Sequence, residues 1–245
     1  QKNYHWVIKF GKLKSTSYLP KNLFNRFGAQ MYIAIEGVKG VGKTTVINHL
    51  PQMLRDLWSD NYIEVLSPTR PMTATHPLEL QYKHHRDNDD LREQLYAHRS
   101  NYHASHINWQ ADMIIGDRSI ITSLAVRWHR VDEGLSPHAY FNQIRDKEHI
   151  IELPDIVIQL DCDNQQLLHR YASRQRDYGL SEECLEQIIA LKRQYLSVKS
   201  WLATPTAINI TNKAINWMVI DTSNGSDVET LQQILGIIKE LKKNH

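Results

Sequence analysis

The stretch MYIAIEGVKGVGKTTVINHL, residues 31–50, decides the fold of this chain. Its first six residues are mostly apolar, as in a buried strand, and they run directly into Gly37-Val38-Lys39-Gly40-Val41-Gly42-Lys43-Thr44, a complete G-x-x-x-x-G-K-[ST] pattern. The residues after Thr44 continue at helical spacing. A strand, a glycine-rich loop and a helix in this order predict a loop that binds the phosphates of a nucleoside triphosphate.

The chemistry of this loop depends on its glycines and on the helix behind it. Glycines allow a tight turn in which successive N–H groups point at phosphate oxygens, and the helix adds the positive end of its dipole. We expect Lys43 to reach the β- and γ-phosphates of ATP and the Thr44 hydroxyl to complete the coordination of Mg²⁺. The predicted ATP-binding residues are Gly37, Gly40, Val41, Gly42, Lys43, Thr44 and Thr45.

Strands and helices alternate along the rest of the chain. Further strands are predicted at 62–66, 112–117, 156–161 and 217–221, and the longer amphipathic helices at 90–109, 181–202 and 227–241. This alternation predicts an α/β fold, a doubly wound five-stranded parallel sheet with flanking helices, whose ligands bind at the carboxyl ends of the strands. The polar segment 76–90 is expected to be a solvated loop, and its adjacent His84 and His85 are not expected to bind metal.

Charged residues follow two of the predicted strands. Asp117 and Arg118 follow the third, where the carboxylate could serve Mg²⁺ or accept a proton and the guanidinium could bind a phosphate. The alternative is that Asp117 caps the following helix and pairs with Arg118. Arg70 follows the second strand, and several arginines at one site suit a phosphorylated substrate because their charge offsets that of the transferred group.

A basic segment near 170–180 is a candidate lid over the site. It runs Arg170-Tyr171-Ala172-Ser173-Arg174-Gln175-Arg176 before Gly179. We divide the chain into a P-loop domain, 31–245, and a preceding tail, 1–30.

The net charge of +2 over 245 residues is unevenly distributed. The tail holds six of the 29 Lys and Arg residues and none of the 27 acidic ones, so residues 31–245 carry a net charge of −4. Such a body is not expected to bind nucleic acid. For the tail, the hypotheses are a cloning remnant or a start codon placed before Met31, a partner-binding or core-packing extension, a transit peptide poor in arginine, and a phosphate-binding arm. The first is favoured, and we assign the tail no function.

Composition narrows the class of protein further. With 41% apolar and 23% charged residues the chain is expected to be globular, and it has no apolar run of about 18 residues that would span a membrane. The first 30 residues lack the apolar block of a secretory signal, and two cysteines are too few for a disulfide framework. A cytoplasmic protein with no membrane partner is therefore expected.

Several short motifs together resemble the thymidylate kinase family over residues 31–241. Their order and spacing are specific, although each is weak alone. They are Ile35-Glu36-Gly37 at the start, Thr69-Arg70 for "TRE", Ala97-His98-Arg99 for "AxR", Asp117-Arg118-Ser119 for "DRY" and Pro154-Asp155 to Leu160-Asp161 for "PDxxxxLD".

This resemblance implies roles for particular residues. Arg70 and Arg118 would bind the acceptor monophosphate, and Arg99 would bind the edge of the base. Arg174 and Arg176 would serve the transferring phosphate from the lid, an arrangement similar to the bacterial type, since Gly40 stands where some members carry an arginine. The resemblance also implies a homodimer. Catalytic roles are expected for Lys43, Asp117, Arg118, Arg174 and Arg176, and metal binding for Thr44 and Asp117.

Three departures from the family pattern fall at the acceptor site. Lys39 replaces an acid that contacts the sugar hydroxyl and would favour an anion. Arg127 stands in the "AYQ" element, and Leu95 takes the place of a stacking aromatic residue, with Tyr96 one position later. We therefore expect Lys39, Arg70, Arg99, Arg118 and Arg127 to shape acceptor binding.

The favoured activity is ATP-dependent phosphoryl transfer to a nucleoside monophosphate, dTMP to dTDP. The alternatives are a deoxyribonucleoside kinase and a nucleotide-binding regulator that has lost transfer. The acceptor itself is left open by the departures at Lys39, Leu95 and Arg127.

Overall fold

A computed structural model of the chain describes residues 31–85, 88–173 and 183–243. The predictions made for the tail, for Arg174 and Arg176 and for most of the lid lie outside these residues. In the described residues the strands are β1 (Met31–Glu36), β2 (Ile63–Leu66), β3 (Met113–Asp117), β4 (Ile156–Asp161) and β5 (Asn216–Asp221).

The strands form one parallel sheet in the order β2-β3-β1-β4-β5. The chain builds the β2 and β3 side first and then crosses β1 to add β4 and β5. The carboxyl end of β1, between β3 and β4, is therefore the crevice where ligands of such sheets bind. The predicted fold is confirmed, and each predicted strand end lies within one residue of the observed one.

Helices connect the strands and cover both faces of the sheet. They are α1 (Lys43–Leu57), α2 (Pro77–His84), α3 (Asp89–Ala104), α4 (Ile120–Val126), α5 (His129–Asp132), α6 (Pro137–Lys147), α7 (Asn164–Ala172), α8 (Leu185–Leu202), α9 (Pro205–Thr211) and α10 (Asp227–Lys243). In this part of the chain no helix combines the length and apolarity needed to cross a bilayer.

Alternation along β1 explains the two apolar layers. Ile33 and Ile35 point into a cluster with α1 and α10, while Tyr32, just before them, points into a second cluster with α4, α6 and α8. A strand buried on both faces needs apolar side chains at successive positions, which is what residues 31–35 supply. The sheet is thus a rigid support for the loops at its carboxyl edge.

Two predicted boundaries were wrong. Helix α3 ends at Ala104 rather than at 109, because the Trp109 indole donates to the Ala104 carbonyl at 2.9 Å and the Ser105 hydroxyl donates to the Tyr102 carbonyl at 2.8 Å. Such side-chain bonds satisfy carbonyl groups at a helix end. Helix α8 begins at Leu185, and residues 181 and 182 lie outside the described part.

The predicted solvated loop at 76–90 was also wrong, since Pro77–His84 forms helix α2. The His76 ring caps this helix by accepting the Leu78 N–H at 3.3 Å, and Pro77 occupies its first turn, where a missing N–H costs nothing. Glu79 in the same turn is buried against Arg99 of α3. A contact to a distant helix therefore stabilises a segment whose own sequence favours a loop.

Candidate active site

The phosphate-binding loop leads from β1 into α1. Gly37, Gly40 and Gly42 all have positive φ angles, of 130°, 90° and 102°. A Cβ atom on Gly37 would lie 2.3 Å from the Leu160 carbonyl oxygen, so this position requires glycine. The Lys43 ammonium donates to the carbonyls of Gly37 at 2.8 Å and Val38 at 2.7 Å. Lys43 thus spans the loop from the first turn of α1.

Carbonyl groups on the outer side of the loop are held by residues far along the chain. The Thr222 hydroxyl, just after β5, donates to the Val41 carbonyl at 3.0 Å, and Arg170 of α7 donates to the Gly40 carbonyl at 3.2 Å. The Tyr171 hydroxyl donates to the Lys39 carbonyl at 2.5 Å. Carbonyls fixed outward leave the loop N–H groups for a phosphate, which suits the triphosphate of ATP.

A shallow cleft lies beside the loop. It is lined by Gly42 and Thr45 on one side and by Arg170, Thr222 and Gly225 on the other. Sequence reasoning missed Thr222 altogether and placed Arg170 only within the basic lid segment. The available signal for Thr222 was its position directly after an apolar strand at the ligand-binding edge.

Asp117 and Arg118 lie beside the loop because β3 pairs with β1. Ile35 is the register partner of Asp117, and the Arg118 N–H donates to the Ile35 carbonyl at 3.1 Å. Arg118 adopts a φ of 74°, which is unusual for a residue with a side chain. Its guanidinium Nη1 donates to the Gly37 carbonyl at 3.3 Å. The two halves of the predicted site therefore meet at Arg118 and Gly37.

The surroundings of Arg118 keep it charged. Burial lowers the pKa of Arg118, but Tyr195, Glu36 and Asp117 raise it, and the net effect is upward. Arg118 Nη1 also donates to the hydroxyls of Thr122 and Tyr195, at 3.3 and 3.4 Å. A cation fixed in this way is preorganised to bind a phosphate.

The alternative that Asp117 caps helix α4 does not fit the structure. Ser119 is the cap, with its side chain accepting the Ile121 N–H at 3.1 Å. Asp117 instead faces Arg70, and the Arg70 Nη2 and Asp117 Oδ2 atoms are 3.7 Å apart. Arg70 is more than half exposed, at 56% of its side chain, so this guanidinium is accessible to a ligand.

Glu36, at the end of β1, stands in the opening motif, but sequence reasoning gave it no role of its own. It is fully buried, and its carboxylate accepts hydrogen bonds from the hydroxyls of Ser119 at 2.7 Å, Thr122 at 2.7 Å and Tyr195 at 2.9 Å. A buried carboxylate is stable only with such donors. The signal was an acid inside an otherwise apolar strand.

Helix α3 brings Arg99 and Tyr96 towards the same edge. Arg99 is buried, forms a two-pronged ion pair with Glu79, and lies with its Cζ atom 5.2 Å from the centre of the Tyr96 ring. Leu95 is fully buried on the inner face of α3. Tyr96 is half-buried and near enough to Arg118 to affect the pKa of that guanidinium. Tyr96 is thus the aromatic residue on the site side of this helix.

The structure places Lys39 and Arg127 in ion pairs within the protein. Arg127 is 3% exposed and lies 3.4 Å from Asp89 at the start of α3. The Lys39 ammonium lies 2.6 Å from Glu183, which precedes α8. Arg127 is therefore brought to the α3 terminus rather than to Arg118, while Lys39 remains on the phosphate-binding loop.

A sequence model of the family described as thymidylate kinase matches residues 35–225. The chain belongs to the thymidylate kinase family. It is thus a nucleoside monophosphate kinase by family, a phosphotransferase, and the match includes the phosphate-binding loop, Arg70, Asp117, Arg118 and Thr222.

Individual relatives in the thymidylate kinase family are distant. The chain is 27% identical to probable thymidylate kinase 1 of Saccharolobus solfataricus over 86% of this chain and 98% of that protein. Solved thymidylate kinases from Ehrlichia chaffeensis (TM-score 0.54, 86% and 99% coverage) and Candida albicans (TM-score 0.56, 89% and 94% coverage) are each 16% identical. A deoxyadenosine kinase from M. mycoides shares the fold at a TM-score of 0.54, 16% identity and 86% and 100% coverage.

Proposed function

We propose that this protein transfers the γ-phosphoryl group of ATP to the 5′-phosphate of dTMP, giving dTDP and ADP. The observation that carries the proposal is the 3.3 Å contact between Arg118 Nη1 and the Gly37 carbonyl, which joins a donor loop to an acceptor edge. Arg70 and Asp117 lie at that same edge. A phosphorylated acceptor suits a pair of arginines better than a hydroxyl acceptor does.

In this proposal catalysis is positioning and charge neutralisation. An oxygen of the acceptor phosphate attacks the γ-phosphorus in line, the bond from that phosphorus to the β–γ bridging oxygen breaks, and ADP leaves with that oxygen. Lys43 and the loop N–H groups hold the donor. Arg118 and Arg70 hold the acceptor and offset the repulsion between the negative charges of the two phosphates.

The donor set also fits a magnesium ion. Thr44 is exposed at the first turn of α1, and Asp117 keeps a fifth of its side chain exposed at the neighbouring strand end. Hydroxyl and carboxylate oxygens are ligands that Mg²⁺ accepts alongside water and phosphate. Bound there, Mg²⁺ would neutralise phosphate charge and orient the donor.

Arg174 and Arg176 lie outside the described residues, and their binding to the transferred phosphoryl group stays a prediction. The roles of Lys39, Arg99 and Arg127 in acceptor binding also stay predictions. We further infer a homodimer from the family resemblance and keep the cytoplasmic location expected from composition as a proposal. Light scattering of the purified protein is the test of subunit number.

The test of function is a panel of nucleosides and nucleoside monophosphates incubated with ATP and Mg²⁺. ADP release is followed and the products are separated by ion-exchange chromatography. Formation of dTDP from dTMP supports the proposal. Transfer to a nucleoside alone, or ATP binding with no transfer to any acceptor, would overturn it in favour of a nucleoside kinase or a regulator.

A further inference from the structure

The segment that carries Arg70 is fastened through its backbone to helices α2 and α3. Arg99 Nη1 donates to the Thr69 carbonyl at 3.1 Å, and the His103 ring Nε2 lies 3.0 Å from the Arg70 carbonyl. The Met72 N–H donates to Glu79 Oε1 at 2.9 Å. Residues on both sides of Arg70, and Arg70 itself, therefore have fixed main-chain partners.

Glu79 is the centre of this arrangement. Its carboxylate pairs with Arg99 through two bonds, Nε to Oε1 at 2.7 Å and Nη2 to Oε2 at 2.5 Å, and both side chains are less than a tenth exposed. Burial raises the pKa of Glu79, but hydrogen bonds from Arg99 and from the Met72 N–H outweigh it and lower the pKa overall. Glu79 is thus a carboxylate at neutral pH, with both oxygens in use.

The Arg70 side chain itself has little packing to hold it. It is 56% exposed and reaches Asp117 only at 3.7 Å. A long exposed side chain samples many rotamers, so where its guanidinium lies depends first on the position of its backbone. In the described residues Glu79, Arg99 and His103 hold that backbone from outside, and the Arg70 N–H donates within the turn to the Ser67 carbonyl at 3.1 Å.

We propose that Glu79 is a positioning residue for acceptor binding, which holds the 67–72 segment through Met72 and Arg99 so that Arg70 faces Asp117 and the acceptor phosphate. This inference rests on the proposed function, because it assigns Arg70 to the acceptor. Glu79 does not touch substrate, and its effect is transmitted through the segment it fastens.

The geometry also explains why the residue is a glutamate. Oε1 accepts two donors, the Met72 N–H and Arg99 Nε, while Oε2 accepts Arg99 Nη2. Glutamine would replace one of these oxygens by an NH₂ group that faces another donor. Aspartate is one methylene shorter and could not keep both the Met72 and the Arg99 contacts.

The pair also limits what Arg99 can offer a substrate. Three of its five N–H hydrogens are directed to Glu79 and Thr69, which leaves one on Nη1 and one on Nη2. Any contact from Arg99 to a base edge would use these two. Glu79 therefore fixes the orientation in which Arg99 meets the acceptor as well.

The experiment compares Glu79→Gln with a matched control, Glu93→Gln. Glu93 is as buried as Glu79 and binds Arg130 through two bonds of 3.1 Å, but its partners, Arg130 and Lys147, belong to α5 and α6 rather than to the 67–72 segment. Glu79→Gln should raise the KM for dTMP about tenfold or more and leave the KM for ATP within about twofold. Glu93→Gln should lower the melting temperature comparably and leave both KM values unchanged.

A second comparison tests whether Glu79 acts through Arg70. In an Arg70→Ala background, Glu79→Gln should add less than about a twofold further increase in the KM for dTMP, since residues acting as one unit are not additive. An equal rise in both KM values, or full additivity of the two changes, would overturn the proposal.

Hydrogen exchange gives a readout that does not need turnover. The Met72 amide should exchange at least about tenfold faster in Glu79→Gln than in the wild type, and at the wild-type rate in Glu93→Gln. Unchanged protection of Met72 would refute the positioning role even if the enzyme is active. If the wild type transfers to no monophosphate, the proposed function fails, and exchange at Met72 still decides whether Glu79 holds the segment.

Discussion

The Tyr195 hydroxyl donates a 2.9 Å hydrogen bond to the buried carboxylate of Glu36, although 159 residues separate them in the sequence. Through this bond helix α8 is tied to the end of β1, one residue before the phosphate-binding loop. Because Arg118 Nη1 donates to the same hydroxyl at 3.4 Å, the bond also helps to fix the guanidinium that we propose binds the acceptor phosphate.

Replacing Tyr195 with Phe should lower the free energy of unfolding by about 1.5–3 kcal/mol, because a buried carboxylate loses one of its donors. The catalytic efficiency should also fall, since Arg118 loses a partner. Denaturant unfolding and steady-state kinetics measure the two effects. The control is Tyr140→Phe, which removes an equally buried hydroxyl that donates to the Ser123 and Leu124 carbonyls.

Tyr140→Phe should cost only about 0.5–1.5 kcal/mol, because its acceptors are uncharged, and it should leave the kinetics unchanged. Equal losses of activity in the two variants would show that Tyr195 has no particular influence on the site.

Replacing Lys43 with Met should abolish turnover, with a loss of about 10³-fold or more in kcat, because the donor loop would lose its phosphate-binding cation. The fold should persist, because methionine fills the space of the lysine stem and the bonds lost to Gly37 and Val38 are to carbonyls of the loop itself. Circular dichroism and the melting temperature check the fold, and ADP release checks activity. Full activity in this variant would contradict the assignment of the donor site.

Glu148 makes stability depend on pH. Burial raises the pKa of this carboxyl from 4.5 to about 7, and the charges of Arg127 and Arg145 only partly oppose the rise. Between these values the folded state keeps a proton that the unfolded chain releases, so stability falls as pH rises from about 4.5 to 7. The loss is about 3 kcal/mol, at 1.36 kcal/mol per pKa unit.

The Glu148→Gln variant should therefore be more stable than the wild type at pH 8, by up to about 3 kcal/mol, and no more stable at pH 4. Urea unfolding across this range measures the difference. Glu152→Gln changes an exposed carboxyl nearby and should shift the free energy of unfolding by less than about 0.5 kcal/mol. A Glu148→Gln difference that does not change with pH would refute the assignment.

Gly40 and Gly134 allow a steric effect to be separated from a backbone effect. Both have positive φ, but a Cβ atom on Gly40 would lie 2.7 Å from Tyr171 Cε1, whereas nothing lies within 4 Å of one on Gly134. Gly134→Ala should cost about 1–2 kcal/mol for the left-handed backbone alone. Gly40→Ala should cost at least about 1 kcal/mol more, because the ring must move. If thermal unfolding shows the same loss of stability in both variants, then α7 moves away from the new methyl group without a measurable penalty.

Much of this fold could be predicted because its strands are short apolar runs that end in polar residues. Residues 31–36 and 156–161 were placed without error on that pattern alone, and the glycine motif located the donor loop. Helix α2 could not be predicted in this way, because its stability depends on Glu79 meeting an arginine 20 residues later.

The position of the candidate site could be predicted from sequence, but the partners of its side chains could not. Arg118 and Arg70 follow strands, and parallel strands place such residues together at one edge of the sheet. The acceptor roles expected for Arg127 and Arg99 stay predictions. Sequence does not give the direction of a side chain, so it could not show that both lie in ion pairs with carboxylates on other segments. Glu36, Thr222 and Glu79 were missed because their partners are remote in sequence.

The Thr222 contact has a consequence for how the protein becomes competent during synthesis. The phosphate-binding loop is made among the first elements of the described chain, yet the hydroxyl that fastens Val41 belongs to a residue 181 positions later. Domains fold largely as units as they leave the ribosome. The nascent chain should therefore gain its full affinity for ATP only when β5 has emerged and packed against β4. Tight ATP binding would then indicate that the chain has been synthesised at least as far as Thr222.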